Sequence, residues 1–471
     1  MISMKIFFVS ILLSVFVAPI ISNGQDSAYK LDFKITGWAD TTVYLGYYYG
    51  ESTYIKDTAS VNDNGVFTFE GDAQLPKGVY FLVVNTTKVF ELLIGEDQYF
   101  SITTDDSNYV KNLNVEGDID NQIFFDNIRF IGERNKRAQE FISILKDSTS
   151  TEQAKIKARN NLTIIGNEVK TYHDEIIESN STSTVATILK SQRKIEIPNE
   201  LKGDQNQRFA YYRNHFWDDF DLGNDMLLRI PEGLYRKKLD DYMDNLNMQI
   251  PDSLIGAIDN IVKKAKRNQE TYRYTVWNLC LKYQTPKIMG LDAVFVYLYD
   301  QFFATGEMDY WANESLKNNL KERADQLRKS MVGKLASNMI LLDDKLQRVS
   351  LYDIKSKYTI IYFFDPDCGH CKKETPKLND FYKTTKYDVE VFAVSADTSM
   401  VKMRNYIKDY GLEWISANGP RTVTPHYQTM YDANTTPSIY ILDEKKKIIA
   451  KKFPDSSKIE DFLDNYESHN N

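Results

Sequence analysis

The sequence has 471 residues, which is long enough for about three domains, and it contains 42% hydrophobic and 26% charged residues. Its formal net charge of −8 at pH 7 argues against the basic face of a general nucleic-acid-binding protein, so we expect no nucleic-acid partner. The only cysteines are Cys280, Cys368 and Cys371, which are too few for an exported fold that disulfides hold together. The cores must therefore stabilise the fold, and the closely spaced pair must serve another purpose.

Residues 1–24 have the layout of a cleavable secretory signal peptide. Lys5 precedes an apolar run from Ile6 to Ile21, and small and polar residues follow up to Gly24. A membrane anchor is the alternative, but this run is shorter than the roughly 20 residues that a membrane-spanning helix needs. No cysteine stands near the cleavage point to carry a lipid. We expect an exported, extracytoplasmic protein with no integral membrane segment after signal cleavage.

Residues 27–118 are predicted to form a β-rich accessory domain. Short apolar or alternating runs such as "YKLDFKIT" and "GVYFLVVN" are separated by Gly, Asn, Asp and Pro. This spacing is typical of an antiparallel β-sandwich or a small barrel. No polar cluster in this segment has catalytic spacing, so a structural or partner-binding role is the simplest interpretation.

Residues 119–332 are predicted to form an α-helical domain. Apolar residues recur every three or four positions, for example in "SLIGAIDNIVKKAKRN", and prolines separate the helical runs. Cys280 lies among apolar neighbours in "VWNLCLKY", which indicates a small buried side chain. A role for Cys280 as a resolving thiol has no support from its spacing.

Residues 333–471 alternate strands with helices. The apolar strand "YTIIYFF" leads directly into the cysteine pair, and an amphipathic helix follows. A second buried strand, "VEVFAVSAD", another helix, the hairpin "PSIYILDEKKKIIAKKF" and a closing helix complete the segment. This pattern predicts an α/β domain with helices on both faces of its sheet.

The stretch "FFDPDCGHCKKE" contains the chemistry. A helix that begins near Cys368 directs unpaired N–H groups and a positive dipole end at this sulfur, which favours its thiolate. Cys371 lies one turn further on, so dithiol and disulfide can interconvert with little backbone movement. A protonated His370 would stabilise the thiolate further, whereas a nearby Asp367 carboxylate would raise the pKa of Cys368.

Two other roles for the cysteine pair are less consistent with the sequence. A structural zinc site needs four ligands, and His370, His426 and Cys280 are not well placed to complete one. A purely structural disulfide between Cys368 and Cys371 would close a very small loop and add little stability. Redox chemistry is favoured, with no metal and no cofactor beyond the cysteine pair itself.

Residues 333–465 resemble the thioredoxin fold and, within it, the TlpA-like extracytoplasmic thiol–disulfide oxidoreductases. The resemblance rests on "IIYFF", "CGHCKKETPKL", "VFAVSAD" and "TTPSIYILDEKKKI". It implies that Cys368 is the nucleophile, that Cys371 resolves the mixed disulfide and that Glu374 is an active-site acid. It also implies that Pro437, after Thr436, is a cis-proline that helps to dock the substrate chain. The two upstream segments look like N-terminal modules of Bacteroidetes-type periplasmic proteins.

Two positions depart from that family pattern. Asp367 replaces a common tryptophan, and Gly369-His370 resembles the dipeptide of protein disulfide isomerases. The expected function is reduction of protein disulfides in the periplasm, with a membrane thiol electron donor to recharge the pair. The alternatives are an isomerase or oxidase of secreted proteins, and an envelope partner-binding protein with an accessory redox domain.

Overall fold

The computed structural model describes residues 27–201 and 203–470, so the predicted signal peptide lies outside the described residues. The chain forms two compact units. The first comprises the described residues up to Gln192 together with Arg229–Gly233, and the second comprises Arg193–Leu228 and the residues from Leu234 onward. No helix within the described ranges has the length and apolar character that crossing a membrane requires.

The first unit contains eight described strands in two four-stranded sheets, with orders β4-β1-β7-β8 and β3-β2-β5-β6. The strands are β1 (Tyr29–Thr36), β2 (Thr42–Tyr49), β3 (Ser52–Ser60), β4 (Val66–Gly71), β5 (Gly78–Val84), β6 (Thr87–Ile94), β7 (Tyr99–Asp105) and β8 (Asn114–Glu116). Both sheets contribute to one apolar core. The predicted sandwich-like fold is therefore confirmed.

Strand β1 shows how the alternating pattern builds this core. Leu31, Phe33 and Ile35 are fully buried, while the residues between them are half-buried or exposed, because successive strand side chains point to opposite faces. Phe33 stands opposite Phe67 of the antiparallel neighbour β4, and their rings stack with centroids 5.0 Å apart.

Three helices belong to the same unit: α1 (Ile119–Lys146), α2 (Glu152–Ser179) and α3 (Thr184–Ser191). The buried side chain of Asn121 in α1 accepts a hydrogen bond from the Leu93 N–H and donates one to the Leu93 carbonyl, both at 2.7 Å. The Asp120 carboxylate accepts from the backbone N–H of Thr184 at 3.0 Å, at the start of α3. The first of these contacts attaches α1 to strand β6, and the second joins α1 to α3.

The short segment Arg229–Gly233 also belongs to the first unit. Gly78 explains how it fits, because a Cβ atom at this position would lie 2.4 Å from the Arg229 Cβ. Gly78 also has φ +151°, a conformation that side-chain-bearing residues rarely adopt. Glycine is therefore required at this close approach.

The second unit contains the rest of the central helical region and the α/β region. Its helices are α4 (Gln205–Asn214), α5 (Leu234–Asn245), α6 (Pro251–Ala265), α7 (Gln269–Gln284), α8 (Asp292–Leu298), α9 (Glu314–Lys329), α10 (Gly369–Thr384), α11 (Met400–Tyr410) and α12 (Ile459–Asn470). Cys280 in α7 is buried, as predicted, and burial raises the pKa of its thiol.

A seven-stranded sheet organises the C-terminal part of this unit, with the order β10-β9-β13-β12-β11-β14-β15. Its strands are β9 (Ile340–Asp343), β10 (Arg348–Ser350), β11 (Tyr358–Phe364), β12 (Val389–Ser395), β13 (Ile415–Thr422), β14 (Ser438–Leu442) and β15 (Ile448–Lys451). Strand β11 is buried along its whole length, parallel to β12 and antiparallel to β14. The predicted α/β fold and its terminal hairpin are confirmed.

The prediction of helices on both faces of this sheet is wrong. Helices α10, α11 and α12 all contribute to the core cluster that contains Tyr362 and Phe364. The core on the opposite face, which contains Ile361 and Phe363, is built among the described residues from strands, loops and one-turn helices. Because β11, β12 and β13 follow one another across the sheet in one direction, right-handed crossovers place both connecting helices on the same face.

Candidate active site

The cysteine pair lies where β11 ends and α10 begins. Cys368 is the residue that caps α10, and its sulfur accepts a hydrogen bond from the Cys371 backbone N–H at 3.5 Å. The Cys368 side chain is half-buried, whereas Cys371 is fully buried and also accepts from the Asp365 N–H at 3.5 Å. Both cysteines are free thiols in the structure.

The two thiols differ in acidity. Burial alone would raise the pKa of Cys368, but hydrogen bonds from the Cys371 and His370 backbone N–H groups, together with side-chain hydrogen bonds to Cys371 and Thr436, lower it overall. Burial raises the pKa of Cys371 to about 12. Because the thiolate is the reactive form of cysteine, the accessible Cys368 is the nucleophile that this geometry favours, and Cys371 keeps its proton at neutral pH.

Thr436 contacts the cysteine pair from the segment that leads into β14. The Cys368 thiol donates a hydrogen bond to the Thr436 carbonyl at 3.4 Å, and the Thr436–Pro437 peptide bond is cis. The structure therefore brings Thr436 against the nucleophile. The substrate-docking role of the two residues is taken up below as a proposal.

Glu374 lies one turn after Cys371 and is nine-tenths buried. One oxygen of its carboxylate accepts a hydrogen bond from the Ser456 N–H at 2.6 Å. The other oxygen lies 3.3 Å from the Lys377 ammonium, which also contacts Asp455 at 3.1 Å. The carboxylate is thus held in a defined position inside the first turns of α10.

Asp367 and His370, the two predicted tuning residues, are both exposed. The Lys402 ammonium lies 2.6 Å from the Asp367 carboxylate and 3.0 Å from that of Asp397. Asp365 joins the two aspartates in a cluster whose carboxylate oxygens lie within 4.8 Å of one another. Lys402 therefore places one positive charge between Asp367 and Asp397, and no local pattern in the sequence predicts this partner.

A buried chain of hydroxyl groups lies beneath the second cysteine. The Thr375 hydroxyl is 2.8 Å from that of Tyr362 and 2.7 Å from that of Tyr406. Tyr362 also donates to the Cys371 carbonyl at 3.4 Å. The even spacing of Tyr362 and Phe364 along β11 signals that they share a face, but nothing local in the sequence points to Tyr406.

A mixed sheet with a Cys-x-x-Cys pair at the start of a helix, faced by a Thr-Pro segment, defines a thioredoxin-like domain. Comparison with family models agrees with this: residues 332–451 match the AhpC/TSA family. Residues 29–124 and 145–328 match two domains of unknown function, DUF4369 and DUF5106 respectively.

Curated relatives share the C-terminal region. The thiol–disulfide oxidoreductase ResA of Bacillus cereus is 27% identical over 133 residues, which are 28% of this chain and 74% of the relative. ResA of Bacillus subtilis is 30% identical over 120 residues, which are 25% of this chain and 64% of that relative. The chain thus carries a thioredoxin-like domain of the thiol–disulfide oxidoreductase class and is an oxidoreductase.

Two solved structures are also similar. A domain of a possible thiol–disulfide isomerase from Cytophaga hutchinsonii is 33% identical, with a TM-score of 0.28, over 30% of this chain and 95% of that one. A thioredoxin-like protein from Bacteroides caccae is 18% identical, with a TM-score of 0.47, over 58% of this chain and 98% of that one.

Proposed function

We propose that this oxidoreductase reduces disulfides of protein substrates in the periplasm through Cys368 and Cys371. The observation that carries the proposal is the asymmetry of the pair: an accessible sulfur of lowered pKa stands beside a buried thiol whose pKa is about 12. Such an asymmetry suits one cysteine to attack the client disulfide and the other to attack the mixed disulfide once it has formed.

In the first step, the Cys368 thiolate attacks one sulfur of the client disulfide. The client S–S bond breaks, a disulfide forms between Cys368 and the client, and the second client sulfur leaves as a thiolate that takes up a proton. Thr436 and Pro437 dock the client chain beside this sulfur.

In the second step, Cys371 loses its proton and its thiolate attacks the Cys368 sulfur. The mixed disulfide breaks, the remaining client sulfur leaves and is protonated, and the Cys368–Cys371 disulfide forms, so that two electrons have passed to the client. Glu374 receives the Cys371 proton through water, with its carboxylate held by Ser456 and Lys377. A membrane thiol donor then supplies two electrons and two protons to restore the dithiol.

Disulfide isomerisation or oxidation is the second candidate, and one observation favours it. Every interaction that lowers the pKa of Cys368 also stabilises the reduced form, which makes the disulfide more oxidising. The equilibrium potential of the pair separates the two functions, since a value near the roughly −270 mV of thioredoxin supports reduction and one near −180 mV supports isomerisation.

The exchange mechanism is tested with single-cysteine variants of the full chain. Cys368→Ser should abolish reduction of a model protein disulfide, and Cys371→Ser should accumulate mixed disulfides that gel electrophoresis without reductant detects. Cys280→Ala is the matched control, because this cysteine is buried in α7 and should leave the exchange rate unchanged. Full activity in Cys368→Ser would rule the mechanism out.

A further inference from the structure

Helix α9, which belongs to the central helical region, contacts the segment that leads to Thr436. This segment, residues 426–437, is called the 426–437 loop below. We propose that Arg323 of α9 is a positioning residue for the redox site, holding the 426–437 loop so that Thr436 stays against the Cys368 sulfur. The inference rests on the thiol exchange proposed above and extends it to a region that the family models leave without a function.

The central contact is an ion pair between Arg323 and Asp432. The two guanidinium nitrogens lie 2.6 and 3.1 Å from the two carboxylate oxygens, and the side chains are only 16% and 5% exposed. A two-pronged contact of this kind fixes orientation as well as distance, because the planar guanidinium and carboxylate groups must face each other. Lys452 adds a contact to the same carboxylate at 2.6 Å.

Further residues on the same side of α9 hold the rest of the 426–437 loop. Gln326 donates to the Gln428 carbonyl at 2.9 Å, and Lys329 donates to the Thr429 carbonyl at 3.1 Å. The Ser330 hydroxyl, at the end of the helix, accepts from the backbone N–H of Asp432 at 3.4 Å. Positions 323, 326, 329 and 330 recur at three- and four-residue spacing, so one face of the helix makes all of these contacts.

Only a few residues of the 426–437 loop separate the anchored Asp432 from the contact with the cysteine. Asp432 stands four residues before Thr436, and Tyr431 and Ala433 beside it are fully buried. The Thr436 carbonyl lies 3.4 Å from the Cys368 sulfur. A shift of Asp432 would therefore move the groups of Thr436 that contact the nucleophile.

The test compares two arginines of the same helix in the full chain. Arg323→Met removes the contact with the 426–437 loop, whereas Arg328→Met removes an equal charge whose ion pairs are with Asp300 and Asp325. The pH dependence of Cys368 alkylation and the kcat and KM for a model protein disulfide are measured for both. The Thr436 side chain makes a hydrogen bond that lowers the pKa of Cys368. Arg323→Met should weaken that bond, raise the apparent pKa of Cys368 and slow alkylation at neutral pH about fivefold, the effect of one lost hydrogen bond. Arg328→Met should match the wild type.

Arg323→Lys covers the case in which the methionine variant does not fold, since it keeps the charge but cannot make the two-pronged contact. It should show the same change in smaller degree, while thermal unfolding stays cooperative. Equal pKa values and rates for both Arg323 variants and Arg328→Met would overturn the positioning role. A wild-type protein that fails to exchange thiols would instead refute the proposed function, so the two failures are distinguishable.

Discussion

Lys402 donates to the Asp367 carboxylate at 2.6 Å, directly beside the residue that supplies the nucleophilic sulfur. A free carboxylate at position 367 would oppose formation of the Cys368 thiolate, and the ammonium offsets that charge. The contact with Asp367, followed by that with Asp397, raises the pKa of Lys402, so the lysine stays protonated throughout the range in which Cys368 titrates.

Lys402→Met should therefore raise the pKa of Cys368 and slow its alkylation at neutral pH. Because Lys402 and Asp367 are exposed, the change should not exceed about fivefold, and it should diminish at high salt. The measurement is the rate of Cys368 alkylation against pH at two ionic strengths. Asp367→Asn in the Lys402→Met background should restore the wild-type profile, and persistence of the change in the double variant would contradict this account.

The asymmetry of the cysteine pair predicts two separate titrations. Cys368 should react with iodoacetamide with a midpoint below the usual thiol pKa, whereas Cys371 should remain unmodified until the pH approaches about 12. Mass spectrometry of peptides from the reduced protein, alkylated across a pH series, measures both. Modification of Cys371 at neutral pH in the folded protein would contradict the assignment of roles.

The buried Asp432 predicts loss of stability in acid. Although burial alone would raise the pKa of Asp432, hydrogen bonds from Arg323 and Lys452 lower it to about 2. The folded pKa is below the unfolded value of about 3.9, so the stabilisation is fully present above pH 4 and is lost as the pH falls through 2.

The shift corresponds to about 2 to 3 kcal/mol of unfolding free energy. In denaturant unfolding between pH 2 and pH 6, the loss of stability toward acid should be smaller in Asp432→Asn than in the wild type by about this amount. Asp380→Asn, a change at an exposed position of α10, is the control and should keep the wild-type slope. An Asp432→Asn variant with an unchanged acid profile would refute the assignment.

The hydrogen bonds of the Asn121 side chain should stabilise the first unit. Its side chain replaces a strand partner for Leu93, so Asn121→Ala would leave a buried N–H and a buried carbonyl without these hydrogen bonds. The expected cost is about 2 to 4 kcal/mol of unfolding free energy, measured by denaturant titration. Asn167→Ala, at an exposed position of α2, should change the stability by less than about 0.5 kcal/mol. Equal stabilities for the two variants would show that the Asn121 contacts do not stabilise the unit.

Much of the redox region is predictable from the sequence because its signals are local. The apolar strand β11, the Cys-x-x-Cys pair and the amphipathic helix α10 are consecutive, and the turn before β15 lies between two short apolar runs. The partners of the site residues are not predictable in this way. Lys402 is 35 residues from Asp367, and Ser456 is 82 residues from Glu374. Neither pairing leaves a periodic pattern, since each depends on how distant elements pack.

The division of the predicted helical segment between the two units is also not predictable from the sequence. Helices α1–α3 have the same three- and four-residue apolar spacing as the later helices, yet they fold with the β-rich strands. What attaches α1 to the strands is the contact of Asn121 with Leu93 and the burial of Phe125 in the sandwich core. A polar side chain in an amphipathic helix is ordinarily expected to face solvent. The sequence pattern therefore does not predict that Asn121 is buried.

The return of Arg229–Gly233 to the first unit bears on the order in which the protein matures. As the polypeptide emerges from its N-terminus, the strands and helices up to Gln192 appear before the five residues that complete their unit. The intervening residues, 193–228, belong to the other unit, whose remaining residues all follow Gly233. Neither unit can therefore be finished before the other has begun to emerge, and an evolutionary exchange at a single breakpoint could not transfer one of them intact.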